Sequence, residues 1–187
     1  AEILLWQLRY RAILLPLVGF AAATLKWFGV ISATSVMTPR LGPRTPLLLL
    51  IGMVVGYTLY QRLVSWHLRR TGRATVGVVI AVNAADLICL FVAAALVSPA
   101  DHYERTLVLS MFTVLFTQMF FGWTATFIHL AMVAIGYISL VAWAKDNGAA
   151  IVPAEELWTL VLFAMGLLVY VGLQGQVVAR TRSLVEI

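Results

Sequence analysis

The sequence predicts an all-α integral membrane protein, a six-transmembrane-helix bundle with both termini in the cytoplasm. The first observation behind this prediction is composition, since 62% of the 187 residues are hydrophobic and only 11% are charged. Soluble domains average roughly 45–50% apolar and about 25% charged residues. A soluble globule of this length could not bury so much apolar surface, so composition argues against a soluble enzyme and a nucleic-acid-binding domain.

The second observation is a series of apolar segments separated by short polar or helix-breaking turns. A spanning helix needs about 20 predominantly apolar residues. Such runs cover residues 12–35, 47–66 and 75–97, and a last one covers 157–178. We therefore place the transmembrane domain at 1–179 and the start of a cytoplasmic signalling helix at 180–187.

The uncharged stretch 106–144 is too long for one span. A single helix of about 39 residues would be roughly 58 Å long, almost twice the thickness of a bilayer core. Dividing the stretch at Phe121–Thr124 gives two short spans joined by a tight hairpin. This division brings the predicted number of spans to six.

The third observation is the distribution of basic residues. With six spans, the side that holds both termini is the richer in arginine, and the positive-inside rule assigns that side to the cytoplasm. The two sets are Arg9, Arg11, Arg62, Arg69, Arg70, Arg73, Arg180 and Arg182 inside, against Arg40, Arg44, Arg105 and Lys145 outside.

Asp86 is the most informative residue, because it lies near the middle of the predicted 75–97 span. A carboxylate at that depth is costly and should face the bundle interior with a partner. Asn83 lies one turn earlier on the same face, and Lys26 lies at a similar depth in the first span. We predict that Asp86 contacts Lys26 or Asn83, either in a ligand-binding cluster or in a pair that only fixes helix packing.

Two further polar residues fall on either side of the predicted hairpin. His129 and Gln118 should lie at similar depth and are expected to hydrogen-bond across it. The sequence shows no paired-histidine motif, glycine-rich phosphate loop or activated nucleophile, so we predict no catalytic residues, no metal and no cofactor in this segment. The single cysteine excludes a disulfide framework.

Gly52 and Gly56 form a GxxxG match in the second span. This spacing lets two helix backbones approach closely, and we expect packing inside one bundle in preference to dimerisation. Tyr57 and Tyr60 follow on the same helix, where they would line a pocket or lie at the interface.

Six features of the chain occur together in one known arrangement. They are Arg9 and Arg11, the basic turn Arg69, Arg70 and Arg73, the mid-membrane Asp86, the polar turn 98–105, Phe121-Gly122-Trp123, and the helix 174–187. Together they resemble the six-span sensor modules that precede the catalytic domains of bacterial histidine kinases, diguanylate cyclases and membrane adenylate cyclases. The quinone-responsive kinases of this type carry Asn-Pro-Phe after the third span, whereas this chain has Ser98-Pro99-Ala100.

The end of the chain bears on this resemblance. Leu173, Val177, Arg180, Leu184 and Ile187 follow a 4-3-4-3 spacing, which is the start of a heptad pattern. In receptors of this class such a helix dimerises and passes a change in position to the output domain, so a homodimer is expected; an amphipathic tail at the headgroups is the alternative. The chain begins without Met, and we expect it to be part of a longer protein.

The function predicted from these features is a sensory and anchoring module in a bacterial inner membrane. An unidentified small or lipophilic ligand would bind in the bundle, and the output domain would follow the chain. The bilayer is the expected environment, and nucleic acid is not an expected partner. A small ion- or proton-coupled transporter or channel, and an accessory subunit of a larger membrane complex, remain the alternatives.

Overall fold

Every regular element in the described part of the chain is helical. The computed structural model describes residues 2–28, 35–42, 44–149, 162 and 166. In the first and last long helices it describes some of the side chains and not others. The elements are α1 (Glu2–Trp27), α2 (Thr38–Leu41), α3 (Thr45–Thr71), α4 (Val76–Val97), a 3₁₀ turn (Ala100–His102) and α5 (Tyr103–Asp146). The predicted last span, the 180–187 helix and the stripe at Leu173, Val177 and Leu184 lie outside the described residues.

Three of the described segments are long and apolar enough to cross a membrane: Thr45–Thr71, Val76–Val97 and the second part of α5, Trp123–Asp146. The first contains the predicted run 47–66, the second covers the run 75–97 except for residue 75, and the third contains the second half of the 106–144 stretch. The prediction of a helical integral membrane protein is confirmed at this level.

Helix α3 has clear signals at both ends. Pro46 lies in its first turn, where a missing N–H is tolerated, and Gly72 ends it at φ +65°, a backbone conformation that favours glycine. The Arg44 guanidinium lies 5.4 Å from the centre of the Trp27 ring, and that of Arg70 lies 5.4 Å from the centre of the Trp66 ring. The 27 residues of α3 span about 40 Å, which matches a bilayer with its interfacial layers.

Helix α1 differs from the predicted 12–35 span. It begins at Glu2 and ends at Trp27, so Pro16 lies in its interior and not in its first turns. An interior proline removes one helical hydrogen bond and weakens the helix at that point. Hydropathy alone set the predicted start too late, because the turns before residue 12 contain Arg9 and Arg11 and are nevertheless helical.

The 44 residues assigned to α5 fold back on themselves. Thr113 Oγ1 lies 3.0 Å from His129 Nε2, and Thr117 Oγ1 lies 2.7 Å from His129 Nδ1. In a straight helix, residues 16 positions apart would be separated by about 24 Å. The chain therefore reverses direction near Phe121–Trp123, midway between the contacting residues, which agrees with the division expected from the length of this stretch.

The described helices run antiparallel to their neighbours in the chain, which gives the bundle two ends. At one end, called the Gly72 end, Leu4 and Leu8 of α1 form a buried cluster with Leu68 and Val79, and Phe121 packs against it. At the other, called the Ser98 end, Ala100 and Ala144 belong to the larger core between α4 and the two arms of α5. The turns of the chain thus alternate between the two ends.

Two glycines allow close helix packing, and neither is in the predicted GxxxG pair. A Cβ atom at Gly19 of α1 would lie 2.8 Å from Val54 Cγ2, and one at Gly136 of α5 would lie 2.5 Å from the Phe91 ring. At Gly52 and Gly56 no described atom lies within 4 Å of an added Cβ, and both residues are exposed. The expectation that this pair packs within the bundle is therefore not met by the described helices.

Candidate functional site

Asp86 lies at the centre of a polar cluster between α3 and α4. Its Oδ1 accepts a hydrogen bond from the Tyr57 hydroxyl, and Gln61 Nε2 lies 3.4 Å from the same oxygen. Gln61 Nε2 also donates to the Tyr57 hydroxyl oxygen at 2.5 Å. Tyr57 and Gln61 are one turn apart on α3 and both are buried, so this helix presents two donors to the α4 carboxylate.

Lys26 is not brought to Asp86. Its Nζ donates to the backbone carbonyl of Val97 at 2.8 Å, at the last residue of α4. Val97 follows Asp86 by 11 positions, or about 16 Å along the helix axis. The predicted Lys26–Asp86 pair therefore does not form; the ammonium instead binds the negative end of the α4 dipole.

A second polar network joins α4 to the two arms of α5. Asn83 Nδ2 donates to Thr117 Oγ1 at 3.1 Å, and Thr117 Oγ1 contacts His129 Nδ1 as described above. Asn83, Thr117 and His129 are all buried. Hydrogen bonds between membrane helices contribute about 0.6 kcal/mol each on average, so this network helps to fix the α5 hairpin against α4. The side chain of Gln118, the predicted partner of His129, lies outside the described residues.

The two networks meet on α4, because Asn83 and Asp86 are neighbours on its surface. In the structure both residues have polar partners, which come from α3 and α5 and not from α1. Sequence reasoning missed Gln61, Thr113 and Thr117. Their spacing could have indicated them, because residues four positions apart lie on the same face of a helix. Gln61 lies four positions after Tyr57, and Thr113 lies four positions before Thr117.

A cavity of about 240 Å³ adjoins Asp86. Its described walls come from α1, α3, α4 and the first arm of α5, and Asp86 is the one charged residue among the described lining residues. These are Pro16, Gly19, Leu50, Met53, Val54, Tyr57, Asp86, Cys89, Leu90, Ala93, Val97 and Leu109. A larger cavity of about 600 Å³ lies between α4 and the second arm of α5, and none of the residues described in its lining is charged.

The Asp86 cluster retains one unsatisfied acceptor among the described atoms. The Gln61 amide oxygen is buried and has no hydrogen-bond partner there. Leaving a buried polar atom unpaired destabilises a protein by about 1–3 kcal/mol, and such atoms call for an explanation. Gln61 is not among the described residues that line the adjoining cavity, so this oxygen marks no contact for a ligand there.

The functional groups around the cavity are few. Within the described residues, no group of three or more His, Cys, Asp and Glu side chains could hold a metal ion. The groups that adjoin the cavity are a carboxylate, a phenol, a thiol and hydrocarbon walls, which suit a largely apolar ligand with few polar contacts.

Comparisons with known proteins add no identity to this geometry. No protein-family model, no curated protein and no solved structure matches the chain. The family resemblance described from the sequence therefore remains architectural.

Proposed function

We propose that this chain is the membrane-embedded sensory and anchoring module of a bacterial inner-membrane receptor. The observation that carries the proposal is the apolar cavity of about 240 Å³ beside Asp86, inside the helical bundle. Intramembrane ionisable residues in cavities commonly mark functional sites. In this proposal the chain crosses the membrane six times, with both termini in the cytoplasm, and an output domain follows it.

The cavity is suited to signalling because its walls belong to different helices. Gly19 is on α1, Val54 on α3 and Ala93 on α4, so a bound molecule would contact three helices at once. We take the helices to have two arrangements in equilibrium. A ligand shifts that equilibrium only as far as its affinities for the two arrangements differ. The proposed output of that shift is a change at the last helix and in its pairing with a second copy of the chain.

The proposal can be tested without knowing the ligand, by filling the cavity with a side chain. Ala93→Phe places a ring in the cavity, whereas Ala81→Phe makes the same substitution on an exposed face of α4. Leu184→Cys, introduced after Cys89→Ser, reports dimer contact through the yield of disulfide cross-linking in membranes.

We expect Ala93→Phe to change the cross-linking yield and Ala81→Phe to leave it unaltered. Equal yields in the two variants, with both proteins inserted and folded, would refute coupling between the cavity and the last helix. Absence of any cross-link in every variant would refute the proposed dimer.

The proposed orientation has its own test. Asp101 and Thr71 are exposed and lie at opposite ends of the bundle, the Ser98 end and the Gly72 end. In intact cells, a membrane-impermeant maleimide should label Asp101→Cys and not Thr71→Cys. The reverse pattern would overturn the orientation with cytoplasmic termini.

A proton-coupled transporter is the second candidate, and the buried His129 network favours it. Two titratable groups come together at α4: Asp86 is part of this helix, and His129 is connected through Thr117 to Asn83, which lies one turn from Asp86. Such chains are typical of proton relays in pumps and transporters. The test is proton uptake into vesicles that contain the purified protein. Uptake that Asp86→Asn abolishes would favour this candidate. A rate of proton uptake equal to that of protein-free vesicles would argue against it.

A further inference from the structure

We infer that the Asp86 cavity binds a free fatty carboxylate, with its head group on Lys26 and its alkyl chain along α4 towards Asp86. This inference rests on the proposed function, because it names the class of ligand for the same site. Two features of the site indicate this class of ligand: the shape of the cavity and the position of Lys26.

The cavity is elongated along one face of α4. Asp86, Leu90, Ala93 and Val97 succeed one another at intervals of three or four residues, so they line a single stripe about 16 Å long. The opposite wall is formed by apolar residues of α1 and α3, among them Pro16, Leu50 and Met53. An extended alkyl chain fits such a narrow apolar groove better than a compact ring system does.

The charge at the Ser98 end of the groove selects the head group. Lys26 Nζ binds the Val97 carbonyl, and Val97 is itself part of the cavity wall. No carboxylate among the described residues lies within ion-pair distance of this ammonium. An ammonium at the edge of an apolar groove attracts an anion, and a carboxylate would give it a charge-assisted hydrogen bond in place of a neutral carbonyl.

The inner end of the groove needs no polar ligand group. The Asp86 carboxylate already accepts a hydrogen bond from Tyr57, and Gln61 lies beside it. The chain terminus can therefore end at the Tyr57 ring and the hydrocarbon of Met53 and Leu90, which line the same cavity.

The native thiol provides the assay. Cys89 is the single cysteine of the chain and lines the cavity. In phosphatidylcholine nanodiscs, the rate of Cys89 labelling by N-ethylmaleimide is followed by mass spectrometry. Dodecanoate, dodecanol and dodecyltrimethylammonium are added at equal mole fractions in the bilayer, so that only the head group differs among the three probes.

We expect dodecanoate to slow labelling by about tenfold when its concentration is roughly ten times its dissociation constant. Dodecanol and dodecyltrimethylammonium should protect much less. Lys26→Gln should lose the protection, Lys26→Arg should retain it, and Lys145→Gln, at an exposed position of the same end, should behave as the wild type. Ala81→Cys with Cys89→Ser reports any general effect of membrane charge on the labelling chemistry.

Three results would overturn the inference. Equal protection by all three probes would show that the cavity binds the alkyl chain without selecting the head group. Stronger protection by the ammonium would place the head group at Asp86. Protection that is reproduced by an anionic phospholipid without dodecanoate would assign the site to a bilayer lipid. None of these results alters the Ala93→Phe cross-linking comparison, so failure of the ligand class is distinguishable from failure of the proposed function.

Discussion

Gly136 sets the distance between α4 and the second arm of α5, so Gly136→Ala should destabilise the bundle. The added methyl carbon would lie 2.5 Å and 2.6 Å from two ring carbons of Phe91. Phe91 is buried, and its ring would have to shift out of its packed position to relieve these contacts. Overpacking of this kind destabilises by about 1–3 kcal/mol, whereas Gly→Ala in an open helix stabilises by up to about 1 kcal/mol.

Gly52→Ala is the matched control, because no described atom lies within 4 Å of its added methyl group. The free energy of unfolding, measured by titration with sodium dodecyl sulfate in mixed micelles, should fall by about 1–2 kcal/mol for Gly136→Ala. For Gly52→Ala it should stay unchanged or rise. The two substitutions are therefore expected to differ in sign.

A double variant tests the assigned cause of this difference. Phe91→Leu alone should lower the free energy of unfolding by about 1 kcal/mol through lost burial. Combined with Gly136→Ala, it should destabilise less than the sum of the two single changes, because the clash is with the ring. Additive effects, or equal effects at Gly136 and Gly52, would refute the packing of α4 against α5 described above.

Two further predictions concern the α5 hairpin and the Asp86 cluster. Thr113→Cys paired with His129→Cys, in a cysteine-free background, should be joined within one chain by a short bifunctional thiol reagent, because the imidazole that now bridges the two positions leaves room for a spacer. A single straight α5 could not be joined in this way, because the two residues would be about 24 Å apart. Tyr57→Phe removes the hydroxyl that donates to Asp86 and should lower the free energy of unfolding by about 0.6–1.7 kcal/mol in the same titration; an unchanged value would show that this hydrogen bond does not contribute.

The membrane character and two of the helices were predictable from the sequence, because hydropathy reports directly on segments that must be apolar over about 20 residues. Helix α3 extends the predicted run 47–66 by two residues at its start and five at its end, and α4 matches the predicted run 75–97 to within one residue. The start of α1 was not predictable in this way. Its first turns contain Glu2 and Arg9, and polar residues beyond the apolar core can continue a helix without any hydropathy signal.

The contacts of the candidate site were only partly predictable. Sequence position gives the depth of a residue in a span, and it identified Asp86, Asn83 and His129 as interior polar groups. Depth does not give the direction in which a helix faces a neighbour. Lys26 was therefore assigned to Asp86, whereas its ammonium binds the Val97 carbonyl at the end of α4.

The packing glycines show the same limit. The GxxxG spacing singled out Gly52 and Gly56, but the close approaches occur at Gly19 and Gly136, which belong to no motif. A glycine is needed wherever a neighbouring helix leaves no room for a Cβ atom. That condition depends on the partner, here Val54 or Phe91, and cannot be derived from one helix alone.

The proposed function requires that small molecules enter the cavity beside Asp86. The rate at which N-ethylmaleimide labels Cys89 in nanodiscs tests it most directly, because the thiol lies in the cavity wall. The account predicts that Ala93→Phe slows this labelling strongly while Ala81→Phe, on the exposed face of the same helix, leaves it unchanged. Equal labelling rates in the two variants would contradict the account.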